Sequence, residues 1–480
     1  MIYFCLFPSS RSLFLVAFFV PVCFSDDIME NLSLYLLTWN VATKEPNDNL
    51  RLALDIPTNK SSLPDFYVIG LQEVKSQPQN IVMDSLFDND WTNAFRYVLV
   101  PNDYVKIKSV RMVGLVLIFL SLRKHVTHIR EIQMESTKTG VFGLWGNKGA
   151  VTIRLKIYGC SFCFVNSHLA PHDHALKDRI EDFHTILNDQ KFESKDASKI
   201  MSHDYVFWFG DLNFRISDPE HYFGLEIERQ INDKDYQELL EKDQLREVMY
   251  SGEAFSELKE GKITFPPTYR FHLNSERYDL KRRPAWTDRI LYKVNDNLHE
   301  DVKLELEQNS YQSIPSYGLS DHKPVASKFA VKVDSNCREK QVEFIVNSQW
   351  FVEAENCARI LYYSDVRPLN TDWIGVFHDN FTSLEDYISY SYVPNSNEDD
   401  QLCRTLNSAN KTDPVATASG EMPPPRLEID VIFSDTLIRE PGSYRLIYFT
   451  KNSHNILGMS SPIHIGSSTN PGSSKGNLDW

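Results

Sequence analysis

Asp211 and Asn213 lie two apart in WFGDLNFRI (208–216), while Asp321 and His322 are neighbours in GLSDHKP (318–324). At a strand end, residues two apart project to the same side, so a carboxylate and a carboxamide converge there. An adjacent carboxylate and imidazole point in different directions and can serve a cation and a proton from one loop. Together these groups suit metal-assisted hydrolysis of a phosphoester, which needs charge compensation, an oriented water and a group that moves a proton. Aromatic residues bracket Asp211, which predicts burial and a raised affinity for protons; it would orient or deprotonate the water while Asn213 holds the phosphoryl group. An Asx turn explains the same DLN string.

Other residues fit that chemistry. Glu73, after Gln72 in IGLQEV (69–74), is a candidate for a hard divalent cation, with Asn40 at a comparable strand end and Asp321 as a looser carboxylate. Mg²⁺ takes one or two protein carboxylates and keeps several waters, and Mn²⁺ can substitute. His168 in NSHLAPH (166–172) ends an apolar run and is expected to donate a hydrogen bond to a phosphate oxygen. Asp288 would orient and polarise His322. The segment KRRPAWTDRILYK (281–293) sets Lys281, Arg282, Arg283, Arg289 and Lys293 against Asp288, and PPTYRF (266–271) adds Tyr269 and Arg270. Cations with a phenol suit a substrate bearing more than one phosphate, although such a run is more often a solvated face. GNKG (146–149) either cradles an anion with backbone N–H groups and Lys148 or is a plain hairpin turn.

The elements that must position these groups are legible as apolar runs. Strand-like stretches cover 32–40, 66–74, 112–120, 150–158, 161–169 and 204–212, with the polar candidates at their carboxyl ends. Helical spacing marks 174–186 and 235–249. Strands alternating with helices imply a layered α/β domain with two sheets inside and helices outside, ending near Val333. A polar linker follows. From Val342 the short aromatic strands VEFIV, DWIGVF and YRLIYF fit a small β-sandwich, and the final residues read as a disordered tail.

A chain of 480 residues exceeds a single core, so two domains are expected. The net charge of −15 argues against a nucleic-acid binder and requires a local basic pocket for any polyanionic substrate. Seven cysteines form no disulfide framework, and Cys160 and Cys163 lie in a strand where positions three apart face opposite ways. Residues 1–28 form an apolar leader with one basic residue, Arg11; secretory targeting, a membrane anchor and an irrelevant leader are equally open.

The motifs WNV (39–41), IGLQE, GNKGAV, NSHLAPH, FWFGDLNFRI, PPTYRF, RPAWTDRIL and GLSDHKPV occur in the order found in the inositol polyphosphate 5-phosphatases, relatives of DNase I. The resemblance spans 31–334, and 341–467 resembles a SKICH domain. It implies a four-layer α/β sandwich followed by an immunoglobulin-like all-β sandwich, with Mg²⁺-dependent removal of the 5-phosphate from phosphatidylinositol 4,5-bisphosphate, phosphatidylinositol 3,4,5-trisphosphate or soluble inositol phosphates. By that resemblance Glu73 is a metal ligand and Asn40 a neighbouring metal or phosphate contact. His168, Asp211, Asn213, Asp288, Asp321 and His322 form the hydrolytic set, and Tyr269 and Arg282 read an adjacent 4-phosphate. Relatives often carry Lys where this chain has Leu280, so Lys281 is the substitute. The SKICH resemblance implies membrane association and protein contacts, hence a cytoplasmic enzyme recruited to the plasma membrane or endoplasmic reticulum. A DNase I-like nuclease and an inactive scaffold are the competing readings. The acidic net charge speaks against the first, and the intact Glu73, Asp211, Asn213 and His322 against the second.

Overall fold

Leu34 and Leu36 on one side of the strand Met29–Asn40, and Tyr35, Leu37 and Trp39 on the other, are all buried. A strand covered on both faces reads as a continuous apolar run, and its alternate residues feed two different cores. The computed structural model describes residues 3–5, 16–18, 29–46, 49–56, 63–75, 88–139, 148–194, 196–234, 236–295, 303–334, 341–346, 349–363, 368–394, 403–404, 427–450 and 455–467. Between Met29 and Asp334 its strands are β1 (Met29–Asn40), β2 (Phe66–Gln72), β3 (Tyr104–Met112), β4 (Leu115–Leu122), β5 (Ile129–Lys138), β6 (Gly149–Ile157), β7 (Cys160–His168), β8 (Tyr205–Asp211), β9 (Lys259–Glu260), β10 (Asp288–Val294), β11 (Leu306–Ser313) and β12 (Val325–Asp334).

They form two six-stranded sheets, β11-β12-β1-β2-β4-β3 and β9-β10-β8-β7-β6-β5. The central pairs β1/β2 and β7/β8 are parallel, so four strands deliver their carboxyl ends to one edge of the sandwich. Between the sheets lies a core that includes Leu36, Val68, Phe119, Phe164, Phe207 and Phe329. Trp91, Phe95 and Leu99 of helix α1 (Asp90–Leu99) cover the outer face of the first sheet, and Phe183 and Ile186 of α2 (Leu176–Asp189) cover the second. The layers are therefore helix, sheet, sheet, helix. Cys160 joins the inter-sheet core and Cys163 the outer one, as their spacing requires.

One polar bridge crosses the inter-sheet core beneath the carboxyl ends. Asn166 of β7 accepts from Gln72 Nε2 at 2.6 Å and donates to the carbonyls of Leu71 (3.1 Å) and Val116 (2.8 Å) in the other sheet. Beside it, a Cβ on Gly70 would lie 2.5 Å from Phe209 Cε2 and 2.9 Å from Asn166 Cγ, so the sheets approach as closely as a glycine permits.

Local sequence misleads at two places. The run 112–120 straddles a hairpin turn, with Val113 at φ +52°, and the more polar β3 precedes it. The expected helix over 235–249 is broken into Gln237–Glu241 and Gln244–Ser251, because Asp243 leaves helical geometry to accept from Arg246 N (3.2 Å) and to meet the buried Arg289 at 3.0 Å. Within the leader, Tyr3–Cys5 pairs with Val16–Phe18; its other residues before Met29, and the tail 468–480, lie outside the described residues. No helix among the described residues is long and apolar enough to cross a membrane.

The carboxyl-terminal strands are β13 (Val342–Ile345), β14 (Trp350–Phe351), β15 (Asn356–Tyr362), β16 (Trp373–His378), β17 (Ser389–Tyr392), β18 (Cys403–Arg404), β19 (Leu427–Phe433), β20 (Gly442–Phe449), β21 (Ile456–Met459) and β22 (Ile463–Gly466). They make sheets β13-β15-β19-β18 and β14-β22-β20-β16-β17, with β21 also on β20, around a core that includes Trp350, Ile360, Val376, Phe433 and Leu446. This sandwich seals the edge strand β3. Lys106 N donates to Thr382 O (2.8 Å), and Leu384 N donates to Lys106 O (3.1 Å). The buried Lys106 ammonium meets Asp88 (2.6 Å) and Glu385 (2.7 Å), Arg96 meets Asp88 (2.8 Å) and Asp386 (3.1 Å), and Arg123 lies 4.5 Å from the Phe381 ring centroid. Lys106 is level with Leu120, whereas the β2 end at Leu71 is level with Val116, so this contact lies at the opposite end of the sandwich from the strand ends bearing the candidate residues.

Candidate active site

Asp211 occupies the last position of β8, where Gly210 makes its presence possible: at φ +139° a Cβ on residue 210 would stand 1.9 Å from Ser167 O. Asp211 is 1% exposed and is surrounded by groups from the ends of β1 and β7, the loop before β12 and the turn that follows β8. Its Oδ2 accepts from Asn40 Nδ2 at 3.0 Å and lies 3.2 Å from His168 Nε2 and 3.9 Å from His322 Nε2. Its Oδ1 accepts from Asn213 N at 3.2 Å. Burial alone would raise the Asp211 pKa, but His168, His322 and Lys148 hold it well below the usual carboxylate range. The raised proton affinity expected from the aromatic surroundings is therefore corrected: His168 at the end of β7, Lys148 just before β6 and His322 in the loop before β12 bring cationic and imidazole groups that the local sequence does not reveal.

His322 is held from behind. Its Nδ1 is 2.9 Å from Asp288 Oδ2, which also accepts from Thr268 Oγ1 (2.6 Å) and Thr287 Oγ1 (2.9 Å). Burial opposes protonation, yet Asp288, Asp211 and Asp321 push the imidazole up to about 9, so it is cationic at neutral pH. Ser320 Oγ donates to Asn40 O (2.6 Å) and accepts from His322 N (3.1 Å), and Trp39 Nε1 donates to His322 O (3.2 Å), locking the loop to β1.

Opposite His322, Lys148 contacts both ring nitrogens of His168. Burial and the neighbouring Lys148 lower the His168 pKa, so the ring is neutral and its Nε2 faces Asp211, the group it is positioned to serve in this structure. Burial likewise lowers that of Lys148. Asn213, in the left-handed region at φ +58°, donates from Nδ2 to Leu169 O at 3.1 Å. Glu73 also adopts a left-handed turn, at φ +55°; its half-exposed carboxylate reaches to 4.0 Å from His168 Nε2 and makes no ion pair with Lys or Arg among the described residues.

The expected metal candidates separate in role. Asn40 engages Asp211, and Asp321 lies 3.2 Å from Arg270 Nε. Asp211, Asp288 and His322 bring donor atoms within 4.8 Å of one another and could hold an ion. The basic segment divides as well. Arg289 is fully buried against Asp243 and Glu260, Lys293 pairs with Glu257, and Arg283 pairs with Asp173 at 3.0 Å, so these cations brace the fold. Lys281 and Arg282 are exposed and form no ion pair among the described residues. Tyr269 stacks obliquely on His322, ring centroids 4.6 Å apart. A cavity of about 300 Å³ next to Asp321 is lined in part by Lys44, Arg270 and His272. Sequence reasoning passed over Thr268, Thr287 and Arg215, each of which stands inside a motif already singled out. Thr287 adjoins Asp288 and Arg215 follows Asn213 by two positions, whereas Thr268 reaches Asp288 only through the fold.

A model described as endonuclease/exonuclease/phosphatase family 2 matches residues 37–328, and a SKICH domain model matches 342–420. The chain is 34% identical over 449 residues to inositol polyphosphate 5-phosphatase K of Mus musculus, with 90% of each covered. It is 31% identical over 465 residues to phosphatidylinositol 4,5-bisphosphate 5-phosphatase A of Rattus norvegicus, covering 95% of this chain but 43% of that protein. Among solved structures, the inositol polyphosphate 5-phosphatase domain of a synaptojanin, in complex with inositol (1,4)-bisphosphate and calcium ion, aligns with a TM-score of 0.55 and 31% identity. That alignment covers 64% of this chain and 85% of the other.

Proposed function

The chain belongs to the inositol polyphosphate 5-phosphatases, and on that footing we propose that it removes the 5-phosphate of phosphatidylinositol 4,5-bisphosphate and phosphatidylinositol 3,4,5-trisphosphate, and of soluble inositol polyphosphates, with Mg²⁺. The observation that carries the reading is the Asp211 carboxylate, buried and kept ionised between His168, His322 and Asn40. An ionised acceptor in that position orients a water for attack on phosphorus. On the far side the His322 imidazolium, backed by Asp288, donates to a phosphoryl oxygen as charge develops, and Asn213 supplies a carboxamide N–H.

Glu73 suits a hard divalent cation: its carboxylate makes no ion pair with Lys or Arg among the described residues and opens to solvent near His168 and Asp211. Asp288, already accepting from Thr268, Thr287 and His322, is less suited, and a cationic His322 would oppose an ion beside it. The chemistry a bound Mg²⁺ supplies is polarisation of a phosphoryl oxygen. Tyr269, Arg270, Lys281 and Arg282 are the groups offered to the phosphate adjacent to the scissile one, Lys281 standing in beside Leu280. The SKICH domain would direct membrane or partner association, bringing a cytoplasmic enzyme to the plasma membrane or endoplasmic reticulum.

The test is phosphate release from soluble inositol 1,4,5-trisphosphate and from short-chain lipid substrates, with Mg²⁺ and with chelator. Release from both, abolished by chelator and by Asp211→Asn, is expected. Cleavage of plasmid DNA without phosphate release would replace the reading with that of a nuclease.

A further inference from the structure

Two buried guanidinium groups flank the turn that follows Asp211, and neither forms an ion pair with a carboxylate among the described residues. Arg179 is 0% exposed and Arg215 4%. Other arginines at that depth do meet acids: Arg154 pairs with Glu131 at 2.8 Å, and Arg289 with Asp243 at 3.0 Å. A cation buried without a counter-ion is destabilising unless other groups hold it, so its retention beside a reaction centre calls for a reason.

The contacts of Arg215 supply one. Its Nε donates to Asn213 O at 3.0 Å and its Nη2 to Asn213 Oδ1 at 2.6 Å. A guanidinium has no acceptor, so it dictates which end of the carboxamide is oxygen. Leu169 O, accepting from Asn213 Nδ2 at 3.1 Å, imposes the same orientation from the other end. The second N–H of Nδ2 is then left for a phosphoryl oxygen. The same guanidinium lies 4.7 Å from the Tyr269 ring centroid, a cation–π contact with the residue offered to the neighbouring phosphate. Gln244 Oε1, accepting from both Arg215 N (3.0 Å) and Arg179 Nη2 (2.7 Å), fixes the base of the assembly.

Resting on the 5-phosphatase reading, we propose that Arg215 is a positioning residue that joins recognition of the adjacent phosphate at Tyr269 to the orientation of Asn213 at the scissile one. It touches neither phosphate itself and acts through those two side chains.

The experiment measures kcat and KM on two soluble substrates, inositol 1,4,5-trisphosphate and inositol 1,5-bisphosphate, for the full-length protein with Mg²⁺. Arg215→Lys keeps the charge but not the fork. It is expected to lower kcat about 30-fold with KM within about threefold, to add nothing further in an Asn213→Ala background, and to reduce the kcat advantage of the substrate carrying the 4-phosphate. Full additivity with Asn213→Ala, or unaltered kcat, overturns the proposal. Should Arg215→Lys fail to fold, as judged by near-ultraviolet circular dichroism, Tyr269 supplies the second arm. Tyr269→Leu, which removes the ring over Arg215, should lower kcat on inositol 1,5-bisphosphate more than Tyr269→Phe, and equal effects overturn the link. An inactive wild-type protein would defeat the 5-phosphatase reading and this proposal together, whereas an active one that fails either arm defeats the Arg215 role alone.

Discussion

The two ends of the catalytic sandwich treat buried charge in opposite ways. At the end sealed by the carboxyl-terminal domain, Lys106 is neutralised by Asp88 and Glu385, and Arg96 by Asp88 and Asp386. At the carboxyl ends of β1, β2, β7 and β8, the half-buried Lys148 and the buried Arg215 have no acid of their own, and Asp211 is shared by several donors. Burial of charge is costly at both ends, but only the first repays it within the protein. The second end keeps cations that no single acid claims, open to an anionic substrate in a molecule whose total charge is −15.

Breaking the second end should cost activity before stability. Asp211→Asn is expected to lower kcat on a soluble inositol phosphate about 10⁴-fold, because the water loses its anionic acceptor. Phosphate release measured against a folded-state control by circular dichroism checks it. Asp288→Asn, which removes the charge behind His322, should lower kcat about 10³-fold while leaving KM within a few-fold.

Breaking the first end should do the reverse. Lys106→Met leaves Asp88 and Glu385 facing each other and is expected to cost about 3 kcal/mol in denaturant unfolding, with kcat on soluble substrate within twofold of wild type. A comparable loss of kcat would show that the two ends are not energetically separate. Two buried histidines sharpen the contrast. His322, among carboxylates, is pushed up to about 9, whereas burial pushes His203, before the amino end of β8, down to about 4. For His203 the unfolded chain binds the proton more readily, so stability falls as pH drops below 6.5 toward 4, by about 2 kcal/mol between pH 6.5 and 5. His203→Phe should flatten that part of the difference in unfolding free energy against pH.

The sequence made the central strands legible because both of their faces are apolar, and placed Asn40, His168 and Asp211 where strands do end. It hid β3 and β5, whose alternating polar residues serve a sheet edge, and it hid the break at Asp243, which is made for Arg289 some forty-six positions away. The basic run at 281–293 looked like one pocket. Its acids lie on distant segments, so only folding shows that Arg289 and Lys293 are internal braces while Lys281 and Arg282 remain outside. The charge state of Asp211 was misjudged for the same reason: its aromatic neighbours are sequential, but Lys148, His168 and His322 arrive from elsewhere.

Asn40 ends a strand of one sheet and Glu73 follows another, while His168 and Asp211 end strands of the second sheet and Asn213 lies just beyond, so catalysis requires the two leaves of the molecule to agree on their spacing. Gly70, pressed against Phe209 and Asn166, acts as the feeler gauge between them. A single methyl group there, touching no candidate catalytic side chain, would pry the halves apart like a shim in a closed calliper, leaving each set of residues intact but out of reach of the other.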